Sequence, residues 1–216
     1  IRDRYMVNLN GTEGSVTIIG AVSPQGSDFS EPVTQNTKRF VRSFWALDKS
    51  LAYARHYPAI NWTTSYSEYI DELRPFYDDH YGGAFLSCRQ RISNILSEES
   101  KLMEIVKLIG ADVLPEDQKL TIEAARLVRV GFLQQNAFHA DDTYVPLEKQ
   151  LGMMQVILYF YDAAMKRVKE GIPVSLIAKT GIQDAIVKMK YNVPNGDLSK
   201  LDSYYPLIDE KLAEVK

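Results

Sequence analysis

The stretch that decides the fold covers residues 84–110 and reads AFLSCRQRISNILSEESKLMEIVKLIG. Its apolar residues recur every three or four positions, which is the period of an amphipathic helix. Gly110 follows the last apolar position, where a glycine commonly caps a helix. The pattern therefore predicts one long helix, Ala84–Ile109, whose apolar face must be covered by other helices.

Helical patterns continue on the C-terminal side of this stretch. Pro115 opens the next helix, which ends near Gly131, because proline is favoured in the first turn of a helix. Pro146 opens another long helix that reaches Gly171. Shorter helices are predicted at 174–178, 183–191 and 205–215.

On the N-terminal side, the helical character begins near residue 67. A helix is predicted at 66–73, ahead of Pro75, and the pair Gly82 and Gly83 separates it from the long helix. The sequence therefore predicts a mainly α protein, in which a helical bundle at 67–216 follows a different kind of domain.

The first 66 residues have an α/β pattern. Residues 14–22 are β-branched and continuously apolar, as in a strand covered on both faces. A turn at 23–28 ends that strand, a helix is predicted at 34–55, and residues 56–62 are expected to be extended. Such a fragment is too small for a complete sheet.

Composition and charge exclude several classes of protein. Hydrophobic residues make up 45% and charged residues 25%, which excludes a disordered chain. The formal net charge of −3 makes a nucleic-acid partner unexpected. No apolar run approaches the roughly 20 residues of a spanning helix, so membrane association is expected only through other subunits or a surface helix.

The sequence lacks the common catalytic and metal-binding motifs. No phosphate-binding loop, paired cysteines or zinc-protease motif occurs, and Lys179 and Thr180 follow an alanine rather than a glycine. The single cysteine, Cys88, is expected to be a partly buried side chain. His139 and the two aspartates that follow at 141 and 142 have no known metal spacing, and an exposed acidic turn is the favoured interpretation.

An aromatic and amide-rich segment, FLQQNAF, occupies residues 132–138. Aromatic faces can sandwich a planar heterocycle while amides read its edge. Taken alone, two aromatic residues at a helix end are more often part of the core. Both interpretations stay open on composition alone.

Seven motifs in chain order point to one family. They are GSVTIIGAVSP at 14–24, DFSEPVTQNT at 28–37, FWALD at 44–48, RHYPAINW at 55–62, FLQQNAF at 132–138, DTY at 142–144 and LEKQ at 147–150. The chain closely resembles the catalytic A subunit of archaeal A-type and vacuolar V-type rotary ATPases, over nearly its whole length.

The resemblance implies which part of that protein is present. The chain is similar to the C-terminal third: residues 1–66 would be the last strands and helix of a RecA-like α/β nucleotide-binding domain, and 67–216 its C-terminal helical bundle. The strand at 14–22 would belong to a parallel sheet. The phosphate-binding loop, catalytic glutamate and magnesium-site aspartate of the family lie upstream. We therefore expect no catalytic residue, no metal ligand and no ATPase activity in this chain alone.

The resemblance also implies a set of contacts to ATP or ADP, whose Mg²⁺ would be bound elsewhere in the full subunit. The expected adenine contacts are Tyr57, Phe132, Gln134, Gln135, Asn136 and Phe138. Tyr57 would stack on the base, Phe132 and Phe138 would close the opposite side, and the amides would border its edge. The three rings should then converge on one cleft.

Partners follow from the same resemblance. The protein would alternate with regulatory B subunits in a hexamer, contact central-stalk rotor subunits, and lie at the cytoplasmic periphery of a complex that moves protons or sodium ions. The turn at 110–117, with Asp112, Glu116 and Asp117, would form an acidic tip facing the rotor. The alternatives are an ordinary solvated turn and, for the whole chain, a helical interaction module without a working nucleotide site.

Overall fold

The computed structural model describes residues 2–215, with the side chains of residues 2–5 and 27 outside the description. The strands are β1 (Arg2–Val7), β2 (Glu13–Ile18), β3 (Ser43–Phe44) and β4 (Tyr66–Ser67). The helices are α1 (Pro32–Phe40), α2 (Lys49–Tyr53), α3 (Ile70–Tyr81), α4 (Ala84–Ile109), α5 (Glu116–Val128), α6 (Ala140–Thr143), α7 (Leu147–Lys169), α8 (Val174–Lys179), α9 (Ile182–Asn192) and α10 (Tyr204–Ala213). The expectation of a mainly helical protein is confirmed.

The hydrophobic core lies within the bundle formed by α4, α5, α7, α9 and α10. Its most deeply buried large side chains come from α5, α7, α8, α9 and α10, and include Leu120, Leu127, Ile157, Phe160, Ile177, Ile186, Met189 and Ile208. The predicted long helix α4 is confirmed to the residue, and it ends at Gly110 with a positive φ of 86°. Glycine adopts that conformation without steric cost, which explains the sharp end of the helix.

The strand expected at 14–22 is confirmed only in part, because β2 covers Glu13–Ile18. It pairs antiparallel with β1 in a hairpin and not within a parallel sheet. All six of its residues are exposed, so the expectation of a strand covered on both faces is wrong for this chain. The physical reason is the missing second layer: β1 is its partner among the described strands.

The helix expected at 34–55 is also wrong, since α1 ends at Phe40 and a second helix, α2, begins at Lys49. Asp48 explains where α2 begins, because its carboxylate accepts hydrogen bonds from the backbone amides of Ser50 and Leu51. An aspartate that satisfies these amides starts a new helix. Between the two helices, β3 pairs antiparallel with β4.

The helix expected at 66–73 lies further along the chain, as α3, and it continues through Pro75. Proline removes one backbone donor, a loss that the helix tolerates here before it ends at Gly82. The segment expected to be extended at 56–62 forms a single bridge, between Leu47 and Ile60.

The end of α5 determines where the candidate site lies. The helix was expected to stop near Gly131, but the chain continues as one π-helical turn, Arg129–Leu133. Such turns insert an extra residue into a helix and are often found at functional sites. This π turn delivers the segment 132–138 to the face of the bundle that meets the N-terminal region.

Candidate functional site

The segment after the π turn lies against the segment that carries Tyr57. The backbone amide of Gln135 donates a hydrogen bond to the Tyr57 carbonyl at 2.7 Å. The side chain of Gln134 donates to the Arg55 carbonyl at 3.1 Å. His56 adds a third link, because its Nε2 lies 3.1 Å from the Arg129 carbonyl and therefore donates to it. These three hydrogen bonds form a junction between two segments that lie about 75 residues apart in sequence.

The rings of this junction have different environments. Phe138 is 99% exposed and Tyr57 is 55% exposed, whereas Phe132 is half-buried against the core. Asn136 holds the turn before Phe138, because its side-chain oxygen accepts a hydrogen bond from the Phe138 amide. In the described part of the chain, the ring contacts involve none of these three rings. Two aromatic faces are thus presented to solvent.

A cavity of about 310 Å³ lies beneath this junction, between the N-terminal region and the bundle. Its lining is His56, Pro58, Ile60, Trp62, Phe132, Leu133, Gln135, Asp142, Val145, Gln150 and Met153. Of the six residues expected to contact adenine, Phe132 and Gln135 are on this wall. The expected convergence of three rings on this cavity is not observed, since Phe132 alone of the three lines it.

The residues considered as a metal site have structural roles. His139 caps α6, with its Nδ1 accepting a hydrogen bond from the Asp141 amide. Asp142 is buried, and its carboxylate accepts a hydrogen bond from the Asn136 amide at 2.7 Å. The interpretation of an exposed acidic turn is therefore wrong for Asp142. Among residues 2–215, no group of three or more potential metal ligands occurs.

Sequence reasoning missed two buried lysines. Lys149 has no exposed surface and Lys190 is 3% exposed. Burial lowers the pKa of both ammonium groups; the charge of Asp141 opposes that shift at Lys149, and that of Asp142 opposes it at both lysines. A signal did exist in the sequence: Lys149 occupies the same helical stripe as the buried Met153 and Val156, four and seven positions later.

An ion pair between a buried carboxylate and a partly buried guanidinium joins the long helix α4 to the π turn. The Glu99 carboxylate on α4 pairs with the Arg129 guanidinium, and Glu99 is buried. Burial lowers the pKa of Arg129. A change in the position of α4 would therefore act directly on the first residue of the turn that carries Phe132.

The turn between α4 and α5 is more apolar than its sequence indicated. Leu108, Ile109 and Val113 are exposed there. The Glu116 carboxylate accepts hydrogen bonds from Lys119 at 2.9 Å and from the Val174 amide at 2.7 Å. These contacts lower the pKa of Glu116. Glu116 therefore contributes its negative charge to this turn while bound to Lys119 and to the start of α8.

Cys88 is half-buried, as expected, and burial raises the pKa of its thiol. A raised pKa keeps the thiol protonated and poorly nucleophilic. Within residues 2–215, no helix has the length and apolar character to cross a membrane.

Comparison with known families matches both parts of the chain. The family model of the ATP synthase alpha/beta nucleotide-binding domain matches residues 3–67, and that of the C-terminal domain of V and A type ATP synthase matches residues 74–177. The V-type ATP synthase alpha chain 2 of Clostridium tetani is 57% identical over 97% of this chain. The chain belongs to the family of V-type and A-type ATP synthase alpha chains. The A subunit of the A-type ATP synthase of Methanopyrus kandleri is 49% identical over 94% of the chain.

These matches place the chain in the C-terminal portion of such an alpha chain. It covers 37% of the Clostridium tetani protein and 34% of the Methanopyrus kandleri protein, and so spans about a third of such relatives. Among solved structures, the ATP synthase subunit NeqB from Nanoarcheaum equitans shares the fold, with a TM-score of 0.51 and 20% identity. That likeness covers 64% of this chain and 34% of NeqB.

Proposed function

We propose that this chain supplies the adenine side of a nucleotide site and a rotor-facing lever in an A-type or V-type rotary ATPase. The complex would couple ATP hydrolysis or synthesis to the movement of protons or sodium ions. The observation that carries the proposal is the match of both parts of the chain to the alpha-chain family, with two exposed aromatic rings at their junction. We assign residues 1–66 to the nucleotide-binding domain and 67–216 to the helical bundle.

The exposed rings of Tyr57 and Phe138 suit the flat faces of an adenine base. Stacking of a base on a solvent-exposed aromatic ring is favourable by about 1–3 kcal/mol per base. Phe132 would border the same base from the cavity side. Binding of the phosphates needs a phosphate loop, which the sequence lacks, and the described residues form no group of potential Mg²⁺ ligands. Those groups would come from other parts of the full subunit, so the chain alone would not hydrolyse ATP.

The amides of the segment have a more specific role in this proposal. The side chain of Gln134 already donates to Arg55, and that of Gln135 donates to the Asp142 carbonyl at 3.3 Å. The Asn136 side chain accepts from the Phe138 amide. These side chains therefore hold the loop in shape, and backbone groups of residues 134–136 would border the base edge.

The test of the adenine site uses a full-length subunit that carries this sequence, assembled in its complex. Phe138→Ala and Tyr57→Ala should each raise the dissociation constant for ATP about tenfold, since each removes a stacking face. Phe40→Ala is the matched control, because Phe40 is also an exposed ring but lies outside the junction. Unchanged affinity in both site variants, with the control also unchanged, would contradict the proposal.

The partners we propose are regulatory B subunits in an alternating hexamer and the central-stalk rotor. The complex would lie on the cytoplasmic side of its membrane. The α4–α5 turn would meet the rotor through the exposed side chains of Leu108, Ile109 and Val113, with Asp112 and Asp117 adding charge. Exposed charges contribute little and are screened by salt, so the apolar contact should dominate.

Two multiple variants separate these contributions to rotor contact. Replacing Leu108, Ile109 and Val113 by serine should weaken rotor binding and torque more than the pair Asp112→Asn and Asp117→Asn. Glu116 is left intact because it anchors α8. If neither variant changes coupling while nucleotide binding stays intact, the turn is an ordinary solvated turn.

One observation favours the alternative of a helical interaction module without a nucleotide site. The three rings do not share the cavity, and Phe132 alone lines it. In that case the Phe138→Ala variant would bind its partner subunits normally, and ATP affinity of the complex would not depend on any of the three rings.

A further inference from the structure

Two buried ammonium groups lie directly behind the loop that would carry the adenine contacts. Lys149 is on α7 and Lys190 is near the end of α9, and both are at most 3% exposed. Lysine is almost never buried to this extent unless its charge is paired and its donors are satisfied. Their contacts therefore show what this arrangement holds in place.

The Lys190 ammonium binds one carbonyl within the π turn and one directly after it. Its Nζ donates to the Val130 carbonyl at 2.9 Å and to the Gln134 carbonyl at 2.6 Å. It also lies 3.9 Å from a carboxylate oxygen of Asp142, which is 2% exposed. Hydrogen bonds from a charged donor are stronger than neutral ones, so one side chain holds the backbone near the start of the turn and just after its end.

Asp142 holds the next part of the loop. Its carboxylate accepts the hydrogen bond from the Asn136 amide, and its backbone carbonyl accepts the bond from the Gln135 side chain. Between these anchors, the Gln135 amide donates to Tyr57. Lys190 thus binds the carbonyl of Gln134, and Asp142 binds the amide of Asn136. These two contacts flank the hydrogen bond to Tyr57.

Lys149 has a different role in the same network. Its Nζ donates to the carbonyls of Asp141 and Lys190 and to the side-chain oxygen of Asn195, at 2.9, 2.9 and 3.0 Å. None of these groups is in residues 130–136. Lys149 therefore links these three groups to one another without contacting the loop.

Stability alone gives a weak reason for such an arrangement. Replacing buried ionic groups by apolar ones of similar volume is often neutral or stabilising, because charges lose hydration on burial. What an apolar side chain cannot supply is a directed bond to two carbonyls of a loop. We propose that Lys190, together with Asp142, is a positioning residue that fixes the backbone of residues 134–136 for nucleotide binding, without contacting the nucleotide. The proposal rests on the proposed function of the loop.

The first measurement does not depend on nucleotide. In the 216-residue chain, Lys190→Met should accelerate amide hydrogen exchange at Gln135 and Asn136 about tenfold, because two anchoring bonds are lost. Lys149→Met should leave those two amides nearly unchanged although it also removes a buried charge. Lys188→Met, at a less buried position of the same helix, is the control and should change neither.

The second measurement uses the full-length subunit in its complex. Lys190→Met should raise KM for ATP about tenfold while kcat changes less than about twofold, because the loop affects binding and not the phosphoryl groups. If Lys190→Met does not fold, Asp142→Asn tests the same positioning of the loop, because Asp142 binds its other end. It should accelerate exchange at Asn136 and raise KM in the same direction.

The exchange and kinetic measurements together decide whether Lys190 is a positioning residue. Faster exchange at Gln135 and Asn136 together with a raised KM in Lys190→Met supports the proposal. Unchanged exchange there, or equal acceleration in Lys149→Met, overturns it, because the lysine would then be only a buried core group. If Phe138→Ala and Tyr57→Ala leave ATP affinity unchanged, the proposed function fails and the nucleotide role of Lys190 fails with it, whereas unchanged KM in Lys190→Met alone overturns only the positioning role.

Discussion

The N-terminal region and the bundle bury their apolar residues to very different extents. In the bundle, the apolar faces of α5, α7 and α9 meet one another, and Phe160 has no exposed surface. In the N-terminal region, Val16, Ile18 and Phe40 are all more than half exposed. The two regions have similarly apolar motifs, so composition does not explain the difference.

What differs is whether the covering layer is within the chain. The bundle contains its own partners and therefore its own core, whereas the hairpin β1–β2 has no second layer among the described residues. We infer that the apolar strand β2 is covered in a full-length subunit, in agreement with the match of residues 3–67 to a nucleotide-binding domain. The junction at Tyr57 and Gln135 is where the two kinds of region meet.

The largest expected effect tests the core of the bundle against the N-terminal region with the same substitution. Phe160→Ala should lower the free energy of unfolding by about 3–5 kcal/mol, because it leaves a cavity in a closed core. Phe40→Ala should change it by less than about 0.5 kcal/mol, since its ring is 75% exposed. Urea unfolding of both variants gives the comparison, and similar losses would show that the two regions are equally packed.

The next effect concerns the ion pair between α4 and the π turn. Arg129→Met should lower the free energy of unfolding by about 3 kcal/mol, because it leaves the buried Glu99 carboxylate unpaired. Arg91→Met removes an exposed pair with Asp162 and should cost less than about 1 kcal/mol. Equal costs in thermal or urea unfolding would mean that Glu99 is hydrated when its partner is lost.

The bundle could be predicted from the sequence because its signals are local. Glycine after an apolar period ends α4, and Pro115 and Pro146 precede α5 and α7, so their bounds follow from residues a few positions apart. The N-terminal region was predicted less well because its strand depends on partners distant in sequence or outside the chain. The helix expected at 34–55 was wrong because residues 43–44 pair with a strand distant in sequence and Asp48 starts a separate helix.

Only the motifs of the candidate site could be predicted from the sequence. The motifs RHYPAINW and FLQQNAF, which carry Tyr57 and Phe138, stand out in the sequence, and the resemblance to the rotary ATPase family rests partly on them. The network of Lys149, Lys190 and Asp142 was missed because charged residues are expected at the surface. The burial of Lys190 depends on the carbonyls of Val130 and Gln134, which the π turn directs inward, and no local pattern encodes that turn.

A smaller effect is expected where Asp48 orders the N-terminal region. Asp48→Ala should weaken local stability by about 1 kcal/mol, the usual worth of a helix cap. Hydrogen exchange at the Ser50 and Leu51 amides, which donate to Asp48, measures it. Asp79→Ala, at an exposed position of α3, is the control and should have no effect.

The same cap gives a pH dependence. The hydrogen bond from the Ser50 side chain, followed by that from Asn61, lowers the pKa of Asp48 below its ordinary value of 3.8. Since the folded state has the lower pKa, the stabilisation is present above 3.8 and is lost as the pH falls through the folded value. The difference between the original chain and Asp48→Ala should therefore shrink on acidification below 3.8, and a difference that grows there would contradict this assignment.

The smallest effect on stability is expected in the hairpin, although its effect on association should be clear. Val16 and Ile18 lie on one face of β2 and are 62% and 61% exposed. Replacing both by lysine should change the free energy of unfolding by less than about 0.5 kcal/mol, because no packing is lost. It should also reduce self-association of the chain in sedimentation, since lysine on an open strand edge opposes edge-to-edge pairing. A large loss of stability would show instead that β2 is packed within this chain, which would remove the contrast between the two regions.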